Sequence, residues 1–423
     1  MNRLDVFMKI ILFTDTYLPQ MNGVVSCLSS AIKLLSKNHE IVLFAPGNKE
    51  HVEFVSKNFK IHWIPSVPFP FYEGYRIASI NYNRISNLLA IEKADIVHVH
   101  APVILGLQGV IAAKRKNLPV VITYHTHFPD YIPHLINGRL PNVVEGAGKY
   151  TVKKLIKHVF KRANVVTAPT NELVQELRSY GLRNVEYLPN GVDFNRLKPN
   201  RSMSLQFRKK YKIPRNKKII LYLGRISFEK KIDQLLKAFK MVQKDEYVLL
   251  VVGGGPYLNT FKQMANEMKL NAIFTGFVDA KYLASVYSCS TIFVSPSDSE
   301  TFGLTFIEAM KLGLPVIGVS RFGPKELIKN NFDGLLVSPN KPDELISAME
   351  LLLTSPSLRK KLSKNAKKKA IAEKIAAKTH SSSKRALADV AFLQNILLNN
   401  KVQGMLIADE LRLDKEEVAW LAK

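Results

Sequence analysis

Two carboxylates eight residues apart, Glu300 and Glu308, flank the start of an expected helix in the run PSDSETFGLTFIE, residues 296–308. Backbone N–H groups at such a helix start, here Phe302, Gly303 and Leu304, hold an anion without a charged side chain. Carboxylates beside a phosphate repel it, so Glu300 and Glu308 suit sugar hydroxyls; the plainer alternative puts Glu308 on a solvated helix face. Upstream, RISFEKK (225–231) brings Arg225 and Lys230 off the end of an apolar run. A guanidinium grips a diphosphate through paired N–H groups and an ammonium grips it as a point charge, although a solvated turn reads the same way. The glycines Gly253, Gly254 and Gly255 permit a tight turn and close backbone approach. They fit neither GxGxxG nor GxxxxGK[ST], so neither of those nucleotide devices is supported. In YHTHFPDY (124–131), His125 and His127 lie near Asp130. No HExxH or carboxylate-rich motif accompanies them to argue for a metal, so His125 is either a ligand contact or a core histidine.

These residues need elements to position them. Short apolar runs at 9–14, 40–45, 96–100, 120–125, 165–169, 219–224, 247–253, 272–275, 291–295 and 315–319 read as strands. They alternate with helical spacings such as 24–36, 233–243 and 257–268. Strands that are continuous hydrophobic runs indicate parallel sheets covered on both faces, and strand–helix alternation indicates doubly wound α/β domains. One series ends at PNGVD (189–193), and no acidic residue follows before a second series starts at Ile219. The expected domains are therefore 1–193 and 194–375, with C-terminal helices at 376–423. Ligands in such sheets sit beyond the carboxyl ends of strands, where every candidate above lies. The helix begun near Gly303 is expected to close at Gly313, a common place for a C′ glycine.

Composition narrows the classes. The chain has 423 residues, 47% of them hydrophobic, which excludes a disordered polyelectrolyte. Two cysteines, Cys27 and Cys289, exclude a disulfide framework or Cys-rich zinc module and suit a reduced, cytoplasmic setting. No stretch reads as a signal peptide or a membrane span. The net charge of +26, from 61 Lys+Arg against 35 Asp+Glu, fits nucleic acid, an anionic membrane or a phosphorylated ligand. Zinc-finger spacing, RNP motifs and zipper heptads are missing, so nucleic acid is not expected.

Taken in series, GRISFEKKID, VVGGGP, FTGFV (274–278), SETFGLTFIEAM with its E-x7-E, and PNGVD resemble family 4 retaining glycosyltransferases over roughly residues 8–370. The resemblance implies a GT-B fold, two Rossmann-like domains facing a central cleft, and transfer of a sugar from a nucleotide sugar with retention. It implies an N-terminal acceptor domain and a C-terminal nucleotide-sugar domain. By position, it places Arg225 and Lys230 on the donor diphosphate, Glu308 on the ribose and Glu300 on the transferred sugar. Gly253 and Gly255 belong to the donor loop, and backbone at Gly23 and Phe302–Leu304 completes the phosphate site. Backbone of Phe277 and Val278 would meet the base, and His125 would lie by sugar and acceptor. No Asp-x-Asp occurs, which fits a reaction without a metal; no cofactor is expected beyond the donor, UDP-glucose. Two departures stand out: Lys231 where glycine or Asn is common, and Asn22-Gly23 where relatives have Gly-Gly.

TDTYLPQMNGVVSCL (14–28) and HTHFPDYIPHL (125–135) resemble the branch that glucosylates diacylglycerol. That implies a lipid acceptor at the cytoplasmic face of a membrane, with a soluble sugar or inositol phosphate as the rival acceptor. The segment 149–162 sets Val152, Leu155, Ile156, Val159 and Phe160 on one stripe and Lys149, Lys153, Lys157 and Lys161 on the other. Such a helix either lies in a membrane interface or packs its stripe on the domain core. Aromatics at 68–75 would line an acceptor groove. Residues 1–195 carry 22 Lys/Arg and 14 Asp/Glu, net +8, which leaves +18 for the rest. Much of that lies in the linker and in the run 359–385.

Overall fold

The computed structural model describes residues 7–379 apart from 21, 70–74, 101, 132–141 and 193. The expected C-terminal crossover and tail and most of the 68–75 aromatic loop lie outside the described residues.

Two sheets form from two kinds of strand. The first contains β1 (Lys9–Thr14), β2 (Glu40–Gly47), β3 (His51–Ser56), β4 (Phe59–Pro68), β5 (Arg76–Ala78), β6 (Ile96–His100), β7 (Val120–Thr123), β8 (Val165–Ala168) and β9 (Val185–Tyr187). Its order is β3-β4-β2-β1-β6-β7-β8-β9, with β5 paired to β4. All pairings are parallel except those of β3 and β5 with β4. The parallel strands are apolar at nearly every position because both faces are covered. Ile11, Phe13, Val42, Phe44, Val97 and Val99 point to one core. Ile10, Leu12, Ile41, Leu43 and Ile96 point to the other. Helix α1 (Gly23–Leu35) packs on the second of these faces. Helices α2 (Tyr82–Glu92) and α3 (Leu105–Arg115) pack on the first, as do α4 (Asn142–Phe160) and α5 (Asn171–Ser179). Gly109 in α3 shows how close the layers are: a Cβ there would lie 2.6 Å from the Phe13 ring.

The second sheet is wholly parallel, in the order β12-β11-β10-β13-β14-β15. Its strands are β10 (Lys218–Leu223), β11 (Tyr247–Val252), β12 (Ala272–Gly276), β13 (Ile292–Val294), β14 (Val316–Val319) and β15 (Leu335–Val337). Alternate residues again divide between two cores, Ile220, Leu249 and Ile317 on one side and Ile219, Leu221 and Leu250 on the other. Helix α6 (Arg201–Lys210) joins this half through Phe207. The sheet is flanked by α7 (Ile232–Val242), α8 (Leu258–Glu267), α9 (Leu283–Ser288), α10 (Leu304–Lys311), α11 (Phe322–Leu327), α12 (Pro342–Thr354) and α13 (Pro356–Thr379). Leu362 and Ala366 seat α13 on the same half. The molecule is thus two doubly wound α/β layers.

Each sheet reverses its winding once. In the first the chain moves outward in opposite directions from β1 and β6, in the second from β10 and β13. Crevices beyond the carboxyl ends of such strands are where α/β folds bind ligands. Arg225 follows β10, and Glu300 follows β13.

Candidate active site

On the second half, the loop after β10 carries Arg225 and Lys230 beside the glycine turn after β11. A Cβ on Gly253 would fall 1.9 Å from the Gly224 carbonyl oxygen, and one on Gly255 would fall 2.2 Å from that of Ile226. Both glycines also have positive φ, +132° and +159°. Only glycine lets these backbones pass so closely, so the turn fixes the loop that holds Arg225. Phe277, 66% exposed, lays its ring over Gly254, while Val278 packs on the core.

Lys230 Nζ donates to Glu300 Oε1 at 2.7 Å. Burial alone would lower the Lys230 pKa, but the charges of Glu300 and Glu229 outweigh it and raise the value. The structure therefore joins two expected site residues into one charged pair at the winding reversal. Phe302 is buried, and Gly303 takes φ +86° to open α10, whose first N–H groups lack intrahelical partners in the ordinary way. Gly313, at φ +73°, ends that helix as expected.

Glu308 is not on a solvated face. It is 2% exposed, accepts from Tyr287 Oη at 2.7 Å and pairs with Arg196. Neither Arg196 nor Tyr287 was legible as a site residue, because each lies far from Glu308 in sequence. Each carboxylate oxygen has a second lone pair for a ligand hydroxyl.

The departure at Lys231 has a conformational origin. It sits in the left-handed region, φ +53° and ψ +37°, which suits glycine or Asn. Its ammonium offsets that strain by pairing with Asp298 and donating to Asn340 Oδ1 at 2.9 Å. Asn22, by contrast, has extended backbone, and its side chain caps α1 by accepting from Val25 N–H. Gly23 follows at the open helix start, with nothing within 4 Å of where its Cβ would be.

On the first half, His125 lies just beyond β7 and is buried. Its Nε2 is 2.8 Å from His100 Nδ1, and the His98 ring packs on His100 at 4.1 Å. Burial lowers the His125 pKa to about 4, and burial with the nearby His125 lowers His98 to about 3. This is a cluster of neutral imidazoles, suited to exchanging hydrogen bonds with hydroxyls rather than to holding phosphate. The ring nitrogen Nδ1 of His125 is buried with no partner among the described residues. His127 belongs to a different group: it contacts Asp130 at 2.8 Å and Glu176 at 2.9 Å. Just beyond β1, Asp15 accepts N–H groups from Val103 to Gly106 at 2.7–3.1 Å and so anchors the start of α3.

The two halves meet at these loops. Thr301 Oγ1 donates to the His125 carbonyl at 2.6 Å, which sets the residue after Glu300 directly on the His125 loop.

The basic helix resolves the choice left open by its pattern. Ile156, Val159 and Phe160 of α4 are buried in the first core, and Val152 packs against it. The apolar stripe is thus spent on the domain, except Leu155, which is 57% exposed. Lys153 stands over the Tyr180 ring at 5.2 Å, and the Lys157 ammonium lies beside Gly181. No metal-holding cluster of His, Cys, Asp and Glu occurs among the described residues, and no described helix is long and apolar enough to cross a membrane.

Comparison with known proteins finds relatives across both halves. The profile "Glycosyltransferase Family 4" matches residues 21–196, and "Glycosyl transferases group 1" matches 204–369. The chain is 30% identical to alpha-monoglucosyldiacylglycerol synthase of Streptococcus pneumoniae, over 97% of this chain and 93% of that one. It is 27% identical to a GDP-mannose-dependent alpha-mannosyltransferase of Corynebacterium glutamicum, over 78% and 76% respectively. The crystal structure of Anabaena HepE in complex with UDP-glucose superposes with a TM-score of 0.71 at 17% identity, covering 91% of this chain and 100% of that one. The chain therefore belongs to glycosyltransferase family 4 and is a glycosyltransferase with the GT-B arrangement of two Rossmann-like domains.

Proposed function

We propose that this glycosyltransferase moves glucose from UDP-glucose, with retention, to a diacylglycerol-type lipid. The observation that carries the reading is the Lys230–Glu300 pair at the sheet reversal, facing the neutral His125 cluster across the Thr301 contact. The name of the Streptococcus relative supports the lipid and the sugar; the UDP-glucose complex of the HepE fold neighbour agrees with the donor.

Charge flow gives the mechanism. The bond between the sugar's anomeric carbon and the diphosphate breaks, leaving negative charge on the departing oxygen and oxocarbenium character on the sugar. Arg225, Lys230 and the N–H groups at Phe302–Leu304 stabilise that charge where it develops, usually the largest catalytic contribution. As the diphosphate engages Lys230, Glu300 is released to accept from hydroxyls of the transferred sugar, while Glu308 accepts from the ribose. The acceptor oxygen attacks the anomeric carbon on the face the diphosphate leaves, and its proton passes to a departing phosphate oxygen. His125, neutral, orients the sugar, and no side chain is needed as a covalent nucleophile.

The enzyme would act as a peripheral protein at the cytoplasmic face of a membrane. With the α4 stripe buried except at Leu155, attraction rests on Lys149, Lys153, Lys157 and Lys161, at about 1 kcal/mol per residue near an anionic surface. Sedimentation with neutral and anionic vesicles at low salt checks this, and equal partitioning would count against it. The main test is a screen of UDP-glucose, UDP-galactose and GDP-mannose against lipid extracts, with products identified by mass. A hexosyl diacylglycerol made from UDP-glucose is expected; product only from GDP-mannose, or only on a soluble acceptor, would overturn the reading.

A further inference from the structure

We infer that Arg321 and Asp130 form a latch between the two halves that positions Glu300 against His125. Arg321 follows β14 on the second half. Its Nη1 donates to Asp130 Oδ2 at 2.9 Å and to the Asp298 carbonyl at 3.1 Å, and its Nη2 lies 3.4 Å from Asp130 Oδ1. Asp130 is on the loop that bears His125, and Asp298 is on the loop that bears Glu300. One guanidinium therefore ties the two loops together, in the forked geometry that Lys cannot reproduce.

The next two residues hold the same junction. Gly323 N–H donates to the Glu300 carbonyl at 3.0 Å, so the Arg321–Gly323 turn grips the Glu300 loop on both sides. Phe322, 2% exposed, packs its ring in the core of the first half, 4.9 Å from the His127 ring. Its N–H donates to Glu172 Oε2 at 3.2 Å, again across the junction. Phe322 has φ +47°, a conformation costly for a residue with a bulky side chain. Such strain persists only where surroundings over-determine it, and here the surroundings come from both halves: His127 and Glu172 of the first, Glu300 of the second. The turn is thus set by the closed arrangement of the domains.

Arg321 and Asp130 touch neither of the expected diphosphate ligands; they are positioning residues. The role rests on the glycosyltransfer reading above. It predicts a loss in turnover without a matching loss in donor affinity, because Arg225 and Lys230 both lie on the second half.

The test uses the full chain with Arg321→Ala, Arg321→Lys, Asp130→Asn, the Arg321→Ala/Asp130→Asn double variant and the exchange Arg321→Asp/Asp130→Arg. UDP affinity is read by calorimetry, kcat and KM with UDP-glucose, and the radius of gyration by small-angle scattering. Expected are a kcat loss of about tenfold or more in each single variant and UDP affinity within about twofold of the parent. The double variant should be no worse than the singles, as coupled contacts require; the exchange should recover part of the loss; and Arg321→Ala should have a larger radius of gyration. Additive losses, or UDP affinity falling in step with kcat, would overturn the latch. A parent chain that neither binds UDP nor transfers glucose would instead defeat the glycosyltransfer reading. Scattering still judges the latch in that event, and an unchanged radius in Arg321→Ala would reject it.

Discussion

The two walls of the cleft are built from opposite kinds of chemistry. Beyond β10 and β13 the second half gathers charge: Lys230 against Glu300, Lys231 against Asp298 and Arg196 against Glu308. At the carboxyl ends of β6 and β7 the first half gathers neutral imidazoles: burial lowers the pKa of His125 to about 4, and burial with the nearby His125 lowers that of His98 to about 3. Under the proposed function, the charged wall would serve a departing diphosphate and the neutral wall the hydroxyls of sugar and acceptor. The contrast also shows in the backbone. The charged wall uses close-packed glycine turns on an all-parallel sheet, whereas the neutral wall adds β3, β4 and β5 with antiparallel pairings and an exposed edge, where Phe54 is 76% exposed.

Breaking the charged side should have the largest effect. Lys230→Ala or Arg225→Ala should lower kcat by roughly 10²–10³, the scale for one charge donor to a developing oxyanion; steady-state rates with saturating donor check this. The neutral side should matter less and in another way. His125→Ala should lower kcat by about tenfold, on the scale of one lost neutral hydrogen bond. In the parent enzyme no limb of the pH–rate profile between pH 6 and 8 should belong to His125. A limb in that range that disappears in His125→Ala would contradict the neutral reading.

How far these walls could be foreseen differs between them. The apolar runs of β1, β6, β10 and β11 declare a doubly wound fold, and the loops after them carry Arg225, Lys230, Glu300 and His125 in recognisable order. β3 left no such trace, since all six of its residues are exposed and no burial pattern exists to be read. β4 mixes Lys60, His62 and Pro65 into its apolar positions, and β9 spans three residues. The partners of Glu308 were invisible for a different reason. Periodicity reports which face of one element is buried, but not that Arg196 comes back from the interdomain linker. Likewise Asp130 and Arg321, 191 residues apart, look like ordinary surface charges until the domains close.

A smaller effect tests the charged wall's second carboxylate. Tyr287→Phe removes one hydrogen bond to Glu308 and should raise the donor KM about tenfold, equivalent to about 1.4 kcal/mol, with kcat little changed. An equal fall in kcat would mean that Glu308 acts on the reacting centre instead.

The smallest expected effect concerns the junction between the walls. Burial works to lower the His127 pKa, but the hydrogen bonds that its ring donates to Asp130 and Glu176 outweigh it and raise the value, while His127 holds both carboxylates below their usual range against burial. The imidazolium's contribution to stability is complete below its ordinary value of 6.5 and is lost as pH rises through the raised one. The carboxylates contribute above their ordinary values of 3.8 and 4.5, and lose that as pH falls through the lowered ones. Thermal stability should therefore peak between about pH 4.5 and 6.5 in this respect, and His127→Gln should flatten the profile.

The central claim, that the charged wall performs sugar transfer, is tested most directly by one comparison. Parent and Lys230→Ala enzymes of matched thermal stability are given UDP-glucose and diacylglycerol, and product is quantified by mass. The account predicts hexosyl diacylglycerol from the parent and roughly a hundredfold less from the variant; equal turnover by the two would contradict it.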